Sequence, residues 1–349
     1  MNAKNLNLMA WLLLGLAAAG CSRKLSLTEM HVGYSLLSDE IKNELKDVER
    51  SIVHISTKVQ YRVETFHYLL QNGTLVADPR SPLRYKLDPN VGRNGITTEP
   101  DKKTLSGGGL ILRVGHEPNR YTILTSSHLV SPDDTTDVYY LDEDGNETDI
   151  LYARYIVTRT DIWVRGKSNW RAAATLLADD PTDDLAIIVS TTNNALGPAF
   201  KNPLGYDANL GWGDWVFLFG FPRGVKQMTG GWVSESPYRG TLAVDAVVRF
   251  GFSGGPVFSI SRKDGKLAFV GLIKSVPRST FDYIGYEGTL PVGSQLTVAD
   301  LDKLVLRRQL LVEYGTAYFV APKTIKQFMQ LARAPLENAN IKLDERYFE

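Results

Sequence analysis

Three glycines and a proline crowd around Ser253 in the stretch "RFGFSGGPVFS" (249–259). A hydroxyl is a poor nucleophile until a neighbouring base takes its proton, so a reactive Ser253 needs an imidazole and a group to orient it. All five histidines, His31, His54, His67, His116 and His128, precede Ser253. An order of serine, acid and then histidine, as in the strand–turn–helix G-x-S-x-G elbow, is therefore excluded by counting. The order histidine, acid, serine stays open. An order of acid, histidine, serine is opposed only by the strand-rich pattern described below. Without such partners, Ser253 is simply a serine in a glycine-rich loop.

Two strings can supply them. His128 ends "RYTILTSSHLV", an apolar run passing into small hydroxyl residues, where an isolated histidine would cap a strand. His116, in "VGHEPNR", reads as a turn residue, and His54 and His67 alternate along early strands without reactive company. "ATLLADDPTDDLAIIVS" places Asp184 at the entrance to an apolar strand, behind Asp180, Pro181 and Asp183. An acid there can accept an imidazole Nδ1–H and fix its tautomer, although D-x-x-D strings also cap turns.

The elements that must position these residues read as short strands. "SLLSDEIKNELKDVERS" predicts a short helix, with Ser38 as its cap and Asp39 and Glu40 in the first turn. Residues 51–70 alternate and read as a strand pair, and 71–104 form a long polar excursion. From "GGGLILRV" onward, short β-rich runs alternate with turns and no helical pattern intervenes, which argues for an all-β barrel or sandwich. Residues 297–315 predict an inserted helix, and "APKTIKQFMQLARAP" (321–335) a terminal one with Pro322 in its first turn.

Lys+Arg and Asp+Glu both number 39, so no broad basic field exists for a nucleic acid and none is expected as a partner. The single cysteine, Cys21, rules out an intramolecular disulfide. It follows Lys4 and an apolar run from Leu8 to Ala19, too short to span about 30 Å of hydrocarbon and typical of an export signal. "LAAAGC" resembles the lipobox of bacterial lipoproteins, in which the cysteine becomes the acylated first residue. Cleavage after Ala17-Ala18-Ala19 is the plainer alternative. The resemblance implies a signal peptide over 1–20 and lipidation at Cys21. It also implies a membrane-anchored protein of the bacterial cell envelope, and Ser22 fits sorting to the periplasmic face of the outer membrane.

The internal strings together resemble the trypsin-like serine peptidases, specifically the HtrA/Deg branch. "TSSHLV" is similar to that branch's T-x-x-H-V-V, and "DDPTDDLAIIV" to its D-x-x-x-D-L-A-L-L. "LGWGDWVFLFGFPRG" (210–224), "TGGWVSE" (229–235), "AVDAVVRFGFSGGPVFS" (243–259) and "GTAYFVAP" (315–322) match further segments in order. The resemblance implies an all-β fold of two six-stranded β-barrels, about 51–195 and 205–322, inside a peptidase domain over 51–335. A linker with a short helix (21–50) would precede it. A terminal helix at about 322–334 and a tail over 336–349 would close it, with no PDZ domain. It also implies a His128–Asp184–Ser253 triad, an oxyanion hole from the Gly251 and Ser253 amides, protein or peptide substrates, no cofactor and no metal. A homo-oligomer, a trimer by the branch's habit, is the implied assembly. Val247 and Val248 fall where the floor of the specificity pocket would be, with Lys274 at its rim.

Phe252 departs from the pattern, since Asn or Asp usually precedes the serine. With the insertions at 71–104 and 277–314, it keeps a second reading open, a non-catalytic trypsin-fold chaperone or binding module of the cell envelope.

Overall fold

The computed structural model describes residues 37–115, 119–142, 145–166, 170–261, 264–286, 293, 297, 303–312 and 315–349. Residues 1–43 and 44–349 cluster as two units. Ser38 Oγ accepts the Ile41 N–H at 3.3 Å and caps helix α1 (Asp39–Glu49), as its sequence predicts. The signal segment and Cys21 lie outside the described residues.

The strands follow in chain order: β1 (Ile52–Phe66), β2 (Leu70–Gln71), β3 (Thr74–Leu75), β4 (Ile96–Gly115), β5 (Asn119–Thr125), β6 (Thr135–Leu141), β7 (Glu147–Arg165), β8 (Arg171–Asp180) and β9 (Leu185–Thr192). Hydrogen bonding runs β1-β4-β5-β9-β8-β7, and a β1–β7 pairing closes the ring, with β6 added on β7. Inward residues of each strand, among them Val53, Ile55, Ile111, Ile123, Val164 and Ile188, fill this barrel. Each such side chain contributes about 1.5–3 kcal/mol by leaving water. Two expectations need correction here. Residues 51–70 are not a strand pair but one long strand, because β1 is paired on both edges, by β4 and β7, along most of its length. The excursion over 71–104 also ends early, since β4 starts at Ile96 and pairs with β1 from there.

The second barrel contains β10 (Trp215–Gly220), β11 (Gln227–Ser234), β12 (Thr241–Asp245), β13 (Pro256–Ile260), β14 (Leu267–Ser275) and a last strand. Between β14 and that last strand comes a separate hairpin, β15 (Arg278–Tyr286) with β16 (Leu304–Val312). The inserted helix expected over 297–315 is therefore a strand across 304–312. Its Leu/Val-rich run meets the aromatic and β-branched residues of β15 in continuous register, and cross-strand pairing overrides local helix preference. The last strand, β17 (Thr316–Val320), completes the closed ring β10-β11-β12-β17-β14-β13 around Val216, Leu218, Val233, Val257 and Phe319.

A one-turn helix, α2 (Ser127–Val130), follows β5, and helix α3 (Pro322–Asn338) ends the domain. α3 outruns its expected end, passing through Pro335, because Leu336 is buried and rewards continuation despite the lost N–H. The final residues also pack inward. Tyr347 is buried, its hydroxyl donates to the Leu112 carbonyl at 3.0 Å, and burial raises its pKa. Arg346 bonds the carbonyls of Phe200, Lys201 and Asn202 between the barrels.

Candidate active site

β5 delivers His128. Thr125, Ser126 and Ser127 are buried, small enough to pass between the barrels, and Ser126 Oγ donates to the Ile273 carbonyl of β14 at 3.2 Å. In α2, Leu129 and Val130 anchor in the first core, which leaves the His128 side chain 44% exposed. The β8–β9 turn delivers Asp184. Asp180 Oδ1 accepts the N–H groups of Thr182 and Asp183 at 3.0 and 3.1 Å, shaping that turn. Asp184 emerges with φ +60°, a conformation that costs about 1 kcal/mol for a residue with a Cβ.

That strained backbone is held by what its carboxylate does. Asp184 is 6% exposed, and both carboxylate oxygens lie 2.9 Å from His128 Nδ1. Oδ1 also accepts the His128 backbone N–H at 2.9 Å. An ionised carboxylate only accepts, so Nδ1 carries the proton and Nε2 presents its lone pair. Asp183, the neighbouring candidate, takes no part in these bonds.

Ser253 sits in the loop between β12 and β13. Its carbonyl accepts the Gly108 N–H of the first barrel at 2.8 Å, tying the serine turn to the neighbouring domain half. Gly251 has φ +104°, and a Cβ there would stand 2.5 Å from the Phe221 carbonyl oxygen. Gly254 has φ +70°, and a Cβ there would meet the Gly108 oxygen at 2.5 Å. Only glycine satisfies both positions. The Gly251 carbonyl accepts the Phe221 N–H at 2.7 Å. Among the described residues, the N–H groups of Gly251 and Ser253 have no hydrogen-bond partner. Phe252, the departure from the usual pattern, is buried in the second core and packs over Gly220, so it braces the turn from behind.

His128, Asp184, Gly251 and Ser253 all border one cleft of about 1320 Å3. Among the described residues no hydrogen bond joins His128 Nε2 to Ser253 Oγ, a contact that is often long in unliganded sites. Val248 and Lys274 also line the cleft, and Lys274 Nζ donates to the Thr182 carbonyl at 3.2 Å. Val247 does not: it is 57% exposed and absent from the cleft wall, because alternation along this segment turns Val248 inward instead.

Sequence reasoning missed His54. It lines the same cleft, bonds Ser106 Oγ at 2.8 Å and lies against the Phe221 ring at 5.1 Å. Burial, with the positive charges of Arg165 and Arg171, lowers its pKa to about 4. It is therefore a neutral imidazole at ordinary pH.

The model of the trypsin-like peptidase domain matches residues 107–271, which contain His128, Asp184 and Ser253. Among solved structures, an HtrA-type protease AlgW variant with a decapeptide is similar at 16% identity and a TM-score of 0.47, covering 87% of this chain and 68% of its own. AlgW itself with a decapeptide gives 16% identity and a TM-score of 0.44, covering 86% and 68%. No curated protein matches. Residues 107–271 are thus similar to the trypsin-like peptidase domain.

Proposed function

We propose that this chain is a serine endopeptidase working through His128, Asp184 and Ser253. The observation that supports it most directly is the two-oxygen grip of Asp184 on His128 Nδ1, at 2.9 Å each, beside the cleft that Ser253 shares. Ser253 Oγ forms a bond to the scissile carbonyl carbon while its proton passes to His128 Nε2. The carbonyl oxygen becomes an oxyanion and accepts the Gly251 and Ser253 N–H groups, each such donor contributing about 2.7–4 kcal/mol in the transition state. His128 then gives the proton to the departing amine, the C–N bond breaks, and water repeats the sequence to release the acyl group. Asp184 holds the imidazolium without taking its proton. Fluorophosphonate labelling of the full chain tests this: wild type should label and Ser253→Ala should not. Equal labelling of the two, or none in either, overturns it.

The same proposal places the enzyme on the bacterial envelope through acylated Cys21 and gives it envelope or unfolded proteins as substrates. Support comes from the apolar run that ends at the chain's one cysteine. Metabolic incorporation of palmitate should be lost in Cys21→Ser. Persistent incorporation removes the anchor from the proposal and leaves the peptidase chemistry untouched.

A further inference from the structure

The chain carries no net charge, yet its cleft is strongly one-signed. Lys103, Arg165, Arg171, Arg223, Arg249 and Lys274 line it, against a single carboxylate, Asp184, which His128 already engages. Among the described residues none of these six cations forms an ion pair. A cleft lined by one sign of charge on low-dielectric walls raises the local concentration of the opposite sign.

One corner is more specific than that field. In register across three adjacent strands, His54 on β1 stands opposite Arg165 on β7, and Arg165 stands opposite Arg171 on β8. Like charges directly opposite in a sheet are destabilising, so this row weakens the barrel that carries it. No carboxylate among the described residues relieves it. Arg165 is aimed toward the second barrel, where it donates to the Gly224 carbonyl at 2.5 Å. Gly224 follows Phe221, whose N–H holds the Gly251 carbonyl, so the arginine corner adjoins the serine turn. Beside it His54 stays neutral and adds no third charge while the corner is empty.

We infer that Arg165 and Arg171 form a carboxylate subsite of the cleft, and that the polypeptide accepted there presents an acidic group close to the bond being cut. A guanidinium meets a carboxylate through paired N–H donors, and two of them side by side suit one acid held between strands. The acid is a Glu or Asp side chain, or the free C-terminus of the substrate. This inference rests on the proposed function for placing a polypeptide in the cleft.

The test is peptide binding to the full chain carrying Ser253→Ala, which binds without cutting. Fluorescein-labelled peptides differing only in Glu or Gln, each with a free or an amidated C-terminus, are compared by anisotropy at low salt. We expect the carboxylate-bearing peptide to bind about tenfold more tightly, the factor given by 1.4 kcal/mol. Arg171→Gln should erase that advantage and Arg171→Lys should keep part of it. Arg171 is exposed and forms no hydrogen bond with another described residue, so an unchanged melting temperature shows that the fold is retained. An advantage that follows Glu assigns the acid to a side chain, and one that follows the free C-terminus assigns it to the chain end. As a second readout, the His54 titration should move upward when the acidic peptide neutralises its neighbours. Binding of all four peptides within about twofold, or an advantage undiminished in Arg171→Gln, overturns the inference. Because this readout needs no cleavage, its failure beside intact fluorophosphonate labelling leaves the peptidase standing, and the reverse pattern separates them the other way.

Discussion

Two imidazoles border one cleft, and their surroundings divide their work. His128 sits on a one-turn helix, half-exposed, with a buried carboxylate on Nδ1 and its other nitrogen available. His54 sits on a continuous strand, hydrogen-bonded to a serine hydroxyl, with two guanidiniums for neighbours. The first ring has an anion against Nδ1, whereas burial and then cations penalise the charged form of the second. Under the proposed function the same side chain serves as a base in one place and is held as a neutral wall in the other.

Removing the anion should therefore have the largest effect. Asp184→Asn retains a residue that tolerates φ +60° and a similar shape, so the turn survives. Its amide can now present N–H groups to Nδ1 and favour the tautomer that points a proton at Ser253. We expect labelling and peptide cleavage to fall about 10³- to 10⁴-fold with a melting temperature close to wild type. A loss below about tenfold would show that Asp184 only braces the turn.

The next effect tests the backbone side of the site. Gly251→Ala brings a Cβ to 2.5 Å from the Phe221 oxygen and must rotate the peptide whose N–H is proposed to receive the oxyanion. The expected loss is about 10²-fold, in kcat rather than KM, because the donor acts on the transition state. Gly265→Ala is the control: φ is +71° there as well, but a Cβ meets nothing within 4 Å. It imposes similar strain far from the cleft and should leave labelling unchanged.

These same residues explain what could be read from the chain. Asp180 closes a turn within three positions, and Gly251, Gly254 and Asp184 sit in short turns whose strings reveal them even though their contacts reach Phe221, Gly108 and His128. His54 lies far along the chain from Arg165 and Arg171, which are near neighbours on β7 and β8, and the imidazole meets them only through register. A slip by one residue would turn each side chain to the opposite face, and no local pattern fixes that. The helix expected over 297–315 gave way to a strand across 304–312 for a related reason, since its partner β15 supplies the pairing that decides between states. The barrels themselves were legible because alternation and turn spacing recur throughout.

The smallest effect concerns His54 and stability. Its folded pKa is about 4 against an ordinary 6.5, so between those values the unfolded chain binds a proton that the folded chain refuses. Stability should therefore fall as pH drops from about 6.5 to 4, with no further loss from this residue below that and no contribution above it. His54→Gln keeps a partner for Ser106 but cannot titrate, so its urea midpoint should decline less than wild type between pH 7 and pH 5. Burial is the larger cause and the arginines the smaller. Salt, which screens charges but not desolvation, should therefore shift the His54 titration only part of the way back. Full recovery to the ordinary value in salt would mean that charge alone distinguishes the two imidazoles, and that the wall around His54 is wetter than its packing against Phe221 implies.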